Sequence, residues 1–141
     1  MNVRPIQCND YYKSYLSLLE QLTIVEKEKI SYNDFENFVN NLSHQHRIIV
    51  IEYNNKIIAS GTLLIENKFI HKMGKIGHIE DIVTDKDYRN KGLGRKIIEN
   101  LLNISHQVNC YKVILNCNEE NVGFYEKNGF LKKEIEMVKY L

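Results

Sequence analysis

Three groups of residues in this sequence could do chemistry. The first is Glu80-Asp81, adjacent carboxylates inside the run Gly77-His78-Ile79-Glu80-Asp81-Ile82-Val83-Thr84-Asp85. A carboxylate there could orient or deprotonate an incoming nucleophile. Alternatively, both could be held by backbone or a basic partner near a strand end. The second is Asn121 with Tyr125, four residues apart and so on one face of a helix. A phenol in that place could donate a proton to a leaving group, or could simply be a core aromatic with its hydroxyl satisfied. The third is the turn Arg89-Asn90-Lys91-Gly92-Leu93-Gly94-Arg95, with three cations and two glycines in seven residues. If a helix begins at its end, free N–H groups and the positive dipole end add to those cations, and an anion such as a phosphate fits. It is neither a Walker loop nor a Gly-x-Gly-x-x-Gly dinucleotide turn.

The elements that must position these groups follow from periodicity. Ile79, Ile82 and Val83 give a buried, β-branched central strand. Leu93, Ile97, Ile98, Leu101, Leu102 and Ile104 lie on one face of a long amphipathic helix. Upstream, residues 2–7 read as a strand, and Asp10 as the N-cap of a helix burying Tyr11, Tyr15, Leu18, Leu19 and Leu22. That helix should end near Thr23. Ser31 and Asp34 open a second helix with Phe35, Phe38, Val39 and Leu42 inward. Arg47–Tyr53 and Ile57–Glu66 form a hairpin about Asn54-Asn55-Lys56. Downstream come a strand Cys110–Cys117, a short helix Glu119–Lys127 with Val122, Phe124 and Tyr125 inward, a glycine C-cap at Gly129, and a last strand Phe130–Tyr140. The order β-α-α-β-β-β-α-β-α-β gives an α/β fold with a central mixed, mostly antiparallel sheet.

With 141 residues the chain makes one domain, 1–141, large enough for its own core. A net charge of +1 offers no electrostatic case for nucleic acid or an anionic membrane. No apolar run approaches the ~20 residues of a membrane helix, and the N-terminus is no signal peptide. Cys8, Cys110 and Cys117 lack paired spacing and read as reduced thiols of a cytoplasmic protein. The five histidines show no metal-binding spacing, so no metal is expected.

Arg89-x-x-Gly92-x-Gly94 after a β-branched strand resembles the acetyl-CoA pyrophosphate turn of the GNAT family of N-acetyltransferases, and Asn121-x-x-Phe124-Tyr125 resembles that family's general-acid segment. Lys68-Phe69-Ile70-His71, Gly77 to Val83, Asn109 to Leu115 and Asn121 to Lys127 together resemble the branch that acetylates glucosamine 6-phosphate on the way to UDP-N-acetylglucosamine. The family's fold has the element order given above. The resemblance implies acetyl-CoA as cosubstrate, bound by Ile82, Val83, Arg89 to Arg95, Asn121, Phe124, Tyr125 and Lys127. It places Glu80 and Asp81 beside the sugar amine, Tyr125 at the leaving thiolate, and Thr23, Lys68, His71 and Asn116 around the amino-sugar phosphate. It also implies a homodimer whose last strands reach the neighbouring subunit's site. Two positions depart from the pattern. Asn116 stands where the family usually has a carboxylate, and Tyr140 where many members have a phosphate-binding arginine. Lys139, Lys68 and Arg89 remain as cations for the phosphate. Two other readings remain: acetylation of another small amine or protein amine by the same residues, and non-catalytic binding of acetyl-CoA, which would need neither Tyr125 nor the Glu80-Asp81 pair.

Overall fold

The computed structural model describes residues 1–141. Its strands are β1 (Asn2–Pro5), β2 (His46–Tyr53), β3 (Lys56–Asn67), β4 (Lys75–Thr84) and β5 (Cys110–Ile114). Its helices are α1 (Tyr15–Leu19), α2 (Tyr32–Asn40), the single left-handed turn α3 (Ile70–Met73, with His71, Lys72 and Met73 at φ 52°, 57° and 60°), α4 (Leu93–Gln107) and α5 (Val122–Lys127), with 3-10 turns at Cys8–Tyr12, Lys27–Lys29, Lys86–Tyr88 and Glu119–Asn121. The strands form one sheet in the order β1-β2-β3-β4-β5, antiparallel until β5, which pairs parallel with β4. A parallel pair needs a crossover, and α4 supplies it.

Both faces of the sheet are covered, which is why Ile48, Ile49, Val50 and Ile51 are all buried on β2. On one face Leu93, Ile97, Ile98 and Leu101 of α4 pack on Ile49, Ile51, Ile58, Leu63 and Ile79. Burying each such side chain contributes about 1.5–3 kcal/mol. On the other face Tyr15, Leu18 and Phe35 pack on Ile48, Val50, Ile57 and Val83. The β2–β3 hairpin turns through Asn54 and Asn55 at φ 49° and 59°, the left-handed pair that its tight turn requires. Ser31 and Asp34 cap α2 reciprocally, Ser31 Oγ accepting from the Asp34 N–H at 3.1 Å and Asp34 accepting from the Ser31 N–H at 2.9 Å.

Five sequence expectations give way. The first helix does not run from Asp10 to Leu22, because Ser14 at φ 62° separates the Cys8–Tyr12 turn from a five-residue α1. Asp10 is no N-cap of that helix; it is fully buried and takes the Arg4 guanidinium at 2.7 and 2.9 Å and the Gln7 N–H at 2.8 Å. Pairing a buried carboxylate with a cation outweighs capping a few amides. Leu22, Phe38 and Phe124, expected inward, are exposed. β5 ends at Ile114 instead of Cys117, and residues 131–141 form no strand. That tail lies on neither free edge of the sheet, and a strand has no stability without a partner. Leu131, Ile135, Met137, Val138 and Tyr140 are all exposed along it.

Candidate active site

The site begins with an irregularity in β4. Thr62 pairs with Glu80 and Ser60 with Val83, so Asp81 and Ile82 together stand opposite Gly61. This is a β-bulge, and Asp81 takes its left-handed conformation at φ 52°. Strict alternation would send Glu80 and Asp81 to opposite faces. The bulge cancels it, and both exposed carboxylates line one cleft of about 360 Å³. Neither enters any of the ion pairs of the chain. Opposite them, a Cβ on Gly61 would fall 2.5 Å from both Ile82 Cδ1 and Ile97 Cγ2, so the bulge packs only over glycine.

The cleft exists because β4 and β5 part company. They pair from Lys75 and Cys110 to His78 and Ile114, and no further. Beyond that point Ile79 to Ile82 form one wall and Leu115, Asn116 and Cys117 the other, with Leu22 and Thr23 at the rim and Asn121 and Tyr125 also lining it. On the side facing β5, the β4 backbone past His78 has no strand partner, so an extended ligand could pair with it.

Tyr125 is held by its ring. It packs edge-on against Phe124 at 5.0 Å and Phe130 at 5.9 Å. Gly129, at φ 88°, closes α5: its N–H donates to Glu126 C=O and the Phe130 N–H to Tyr125 C=O, the paired bonds of a Schellman cap that brings Phe130 back onto the ring. Burial, and then the neighbouring Cys117, push the Tyr125 phenol above its ordinary value. It therefore stays protonated at neutral pH and is available as an acid.

The basic turn leaves β4 at Asp85 and enters α4 at Leu93. Gly92, at φ 75°, is the N-cap of α4 and offers no side-chain acceptor, so the first amides of the helix face outward uncapped. Leu93 is buried and anchors the turn, while Arg89, Asn90, Lys91 and Arg95 are exposed. Arg89 Nε donates to Thr84 C=O at 3.4 Å, Lys91 Nζ lies 5.0 Å from the centre of the Tyr88 ring, and Arg95 pairs with Glu99 at 2.7 Å. A Cβ on Gly94 would lie 3.2 Å from Phe124 Cζ. That close approach ties the turn to the helix carrying Tyr125, a role for Gly94 that its spacing did not reveal. Val83 is a core side chain and can offer a ligand only its backbone, whereas Ile82 lines the cleft. Lys127 is exposed in the last turn of α5.

Thr23 and Asn116 are thus brought together with Glu80, Asp81, Asn121 and Tyr125. Lys68, His71 and Lys139 are not. Lys68 and His71 lie in the β3–β4 connection, at the opposite end of the β4–β5 pair; Lys68 Nζ pairs with Glu66 at 2.9 Å and the His71 ring lies 4.2 Å from that of Tyr111. Lys139 lies in the exposed tail. Leu22, Ile79, Leu115 and Cys117 line the cleft without having been singled out. Leu115 and Cys117 flank Asn116, Ile79 precedes Glu80 and Leu22 precedes Thr23, so each omission had a readable signal in its neighbour.

A mixed sheet split between two strands, an uncapped basic helix start, and two carboxylates with a phenol in the split form the frame of the site. Residues 8–130 match the Acetyltransferase (GNAT) family model, and the chain belongs to that family. It is 44% identical to glucosamine 6-phosphate N-acetyltransferase 1 of Dictyostelium discoideum, over 100% of this chain and 91% of that protein. It is 40% identical to the glucosamine 6-phosphate N-acetyltransferase of Candida albicans, over 96% of this chain and 92% of that one. The crystal structure of glucosamine-6-phosphate N-acetyltransferase from Arabidopsis thaliana superposes with a TM-score of 0.95 at 40% identity, covering 99% of this chain and 97% of that one.

Proposed function

We propose that this protein transfers the acetyl group of acetyl-CoA to the 2-amino group of D-glucosamine 6-phosphate, giving N-acetyl-D-glucosamine 6-phosphate and CoA. The observation that carries the reading is the convergence of Glu80, Asp81 and Tyr125 on one cleft whose wall is an unpaired strand edge. Near-full-length relatives bearing that enzyme's name support the choice of acceptor. The residues present fit acetyl-CoA: the uncapped amides of α4 with Arg89, Lys91 and Arg95 suit its pyrophosphate, and the β4 edge suits its extended pantetheine arm. Acetyl-CoA supplies the activated thioester.

The chain's own residues do the rest. Glu80 or Asp81 accepts a proton as the neutral amine forms its bond to the acetyl carbon. A backbone N–H of the Glu80–Val83 segment stabilises the charge on the acetyl oxygen. Tyr125 gives its proton to the departing sulfur, so the thiol leaves neutral. Holding both substrates in one cleft makes the transfer direct, with no acetylated enzyme. Arg89 to Arg95, Asn121, Phe124 and Lys127 hold the donor; Thr23 and Asn116 hold the acceptor. Lys68, His71 and Lys139, none of which lines the cleft of its own chain, serve the acceptor phosphate from a second subunit of a cytoplasmic homodimer. The exposed apolar tail and the exposed Phe69, Ile70 and Met73 beside Lys68 and His71 support that assembly.

Acetyl-CoA-dependent thiol release with glucosamine 6-phosphate, glucosamine and a polyamine tests the reading. Release confined to the phosphosugar is expected; release with the polyamine alone would move the protein to another acceptor class. Asn116→Asp is expected to hold or raise kcat, because a carboxylate accepts the amine's hydrogen bond and adds charge. A loss of tenfold or more would mean that Asn116 shapes the site for a different acceptor.

A further inference from the structure

We propose that Asp85, braced by Lys56, is a positioning residue for the donor: it sets the basic turn that grips the phosphates of acetyl-CoA. The inference rests on the acetyl-CoA reading above.

Asp85 is 1% exposed, at the point where β4 ends. Its carboxylate takes the Lys56 ammonium at 2.7 Å and the Asp87 N–H at 3.0 Å. Its backbone N–H donates to Ile58 C=O at 2.9 Å, and its C=O accepts from the Tyr88 N–H at 2.8 Å. Those bonds pin the 3-10 turn Lys86–Tyr88 to β3. The Lys86 N–H adds a bond to Gln21 Oε1 at 2.8 Å, from the loop that also carries Leu22 and Thr23. Tyr88 is the last residue before the exposed turn. Its ring meets Tyr53 at 6.1 Å and carries Lys91 Nζ at 5.0 Å. The turn from Arg89 to Gly92 is thus fixed upstream at Asp85 and Tyr88, and downstream at Leu93.

The charge on Asp85 calls for a reason beyond capping. Asparagine or serine would cap the Asp87 N–H as well without placing an anion in the interior. Burial alone would push the carboxyl upward, but the Lys56 ammonium and the Asp87 N–H outweigh it and hold the group below its ordinary value. Asp85 therefore stays ionised at neutral pH. Lys56 is the first residue of β3, so the ion pair bolts the root of the phosphate turn to the central sheet.

A turn that shifts loses grip on the donor's phosphates while the thioester end keeps its alignment. Asp85→Asn and Lys56→Met are expected to raise KM for acetyl-CoA about tenfold and to leave kcat at saturating donor within about twofold. KM for acetyl-pantetheine, which lacks the pyrophosphate, should match that of the parent protein, and Lys56→Arg should restore acetyl-CoA KM. Lys56 is partly exposed, so Lys56→Met carries the test if Asp85→Asn does not fold. Turnover of acetyl-pantetheine is the internal check that the fold and the cleft are intact. Equal losses with both donors, or an unchanged KM for acetyl-CoA, would overturn the proposal. A parent protein that does not prefer acetyl-CoA over acetyl-pantetheine would instead overturn the donor reading beneath it.

Discussion

Replacing Tyr125 by phenylalanine is expected to lower kcat by about 10²- to 10⁴-fold, the usual worth of a positioned general acid. Phenylalanine keeps the ring and its edge contacts with Phe124 and Phe130, so α5 and the cleft should persist. The Kd for acetyl-CoA should stay near that of the parent protein, since the phenol acts on the sulfur only as charge develops there. Pre-steady-state thiol release and calorimetric binding measure the two quantities separately. Undiminished kcat would take Tyr125 out of the mechanism. The raised phenol also fixes a sign: the acid is lost only when pH passes its elevated value, so the alkaline limb of kcat should lie above the ~10 of an ordinary tyrosine. The Phe variant should lack that limb.

Arg4→Met is expected to destabilise the fold by about 3–5 kcal/mol, the cost of leaving a buried charge without its partner. Asp10 would keep the Gln7 N–H, but its nearest cation would be Lys13 Nζ at 3.9 Å. The shift in Tm should be on the order of 10 °C. The pH dependence follows from Glu52. The Lys13 ammonium first, and the Arg4 guanidinium with it, hold the Glu52 carboxyl below its ordinary value. A depressed carboxyl contributes stability above its unfolded value and loses it as pH falls through the folded one. The gap between the denaturation midpoints of parent and variant should therefore narrow, without closing, on acidification below about pH 4. A gap that stays constant across that range would show that Arg4 does not stabilise the Glu52 carboxylate.

Local features were legible in the sequence. The Asn54-Asn55 hairpin, the capping box at Ser31 and Asp34, the apolar stripe of α4 and the cap at Gly129 each depend on residues within a few positions of one another. The basic turn, and the shared face of Asn121 and Tyr125, belong to the same class. What failed needed distant partners. The Asp81 bulge requires Gly61, twenty positions upstream, because a side chain there would collide with Ile82 and Ile97. Asp10 reads as a cap until Arg4 and Glu52 are folded around it, when ion pairing decides its place. The last segment has strand composition, yet it pairs with neither free edge of the sheet. The available chemistry, and the helices and turns that carry it, could thus be read from residues close together in the chain. Folding added that both carboxylates share one cleft, and that Lys68 and His71 lie outside it. Strand register, bulges and the parting of β4 from β5 are settled by pairing and packing across the sheet, where residues far apart in the chain compete for the same space.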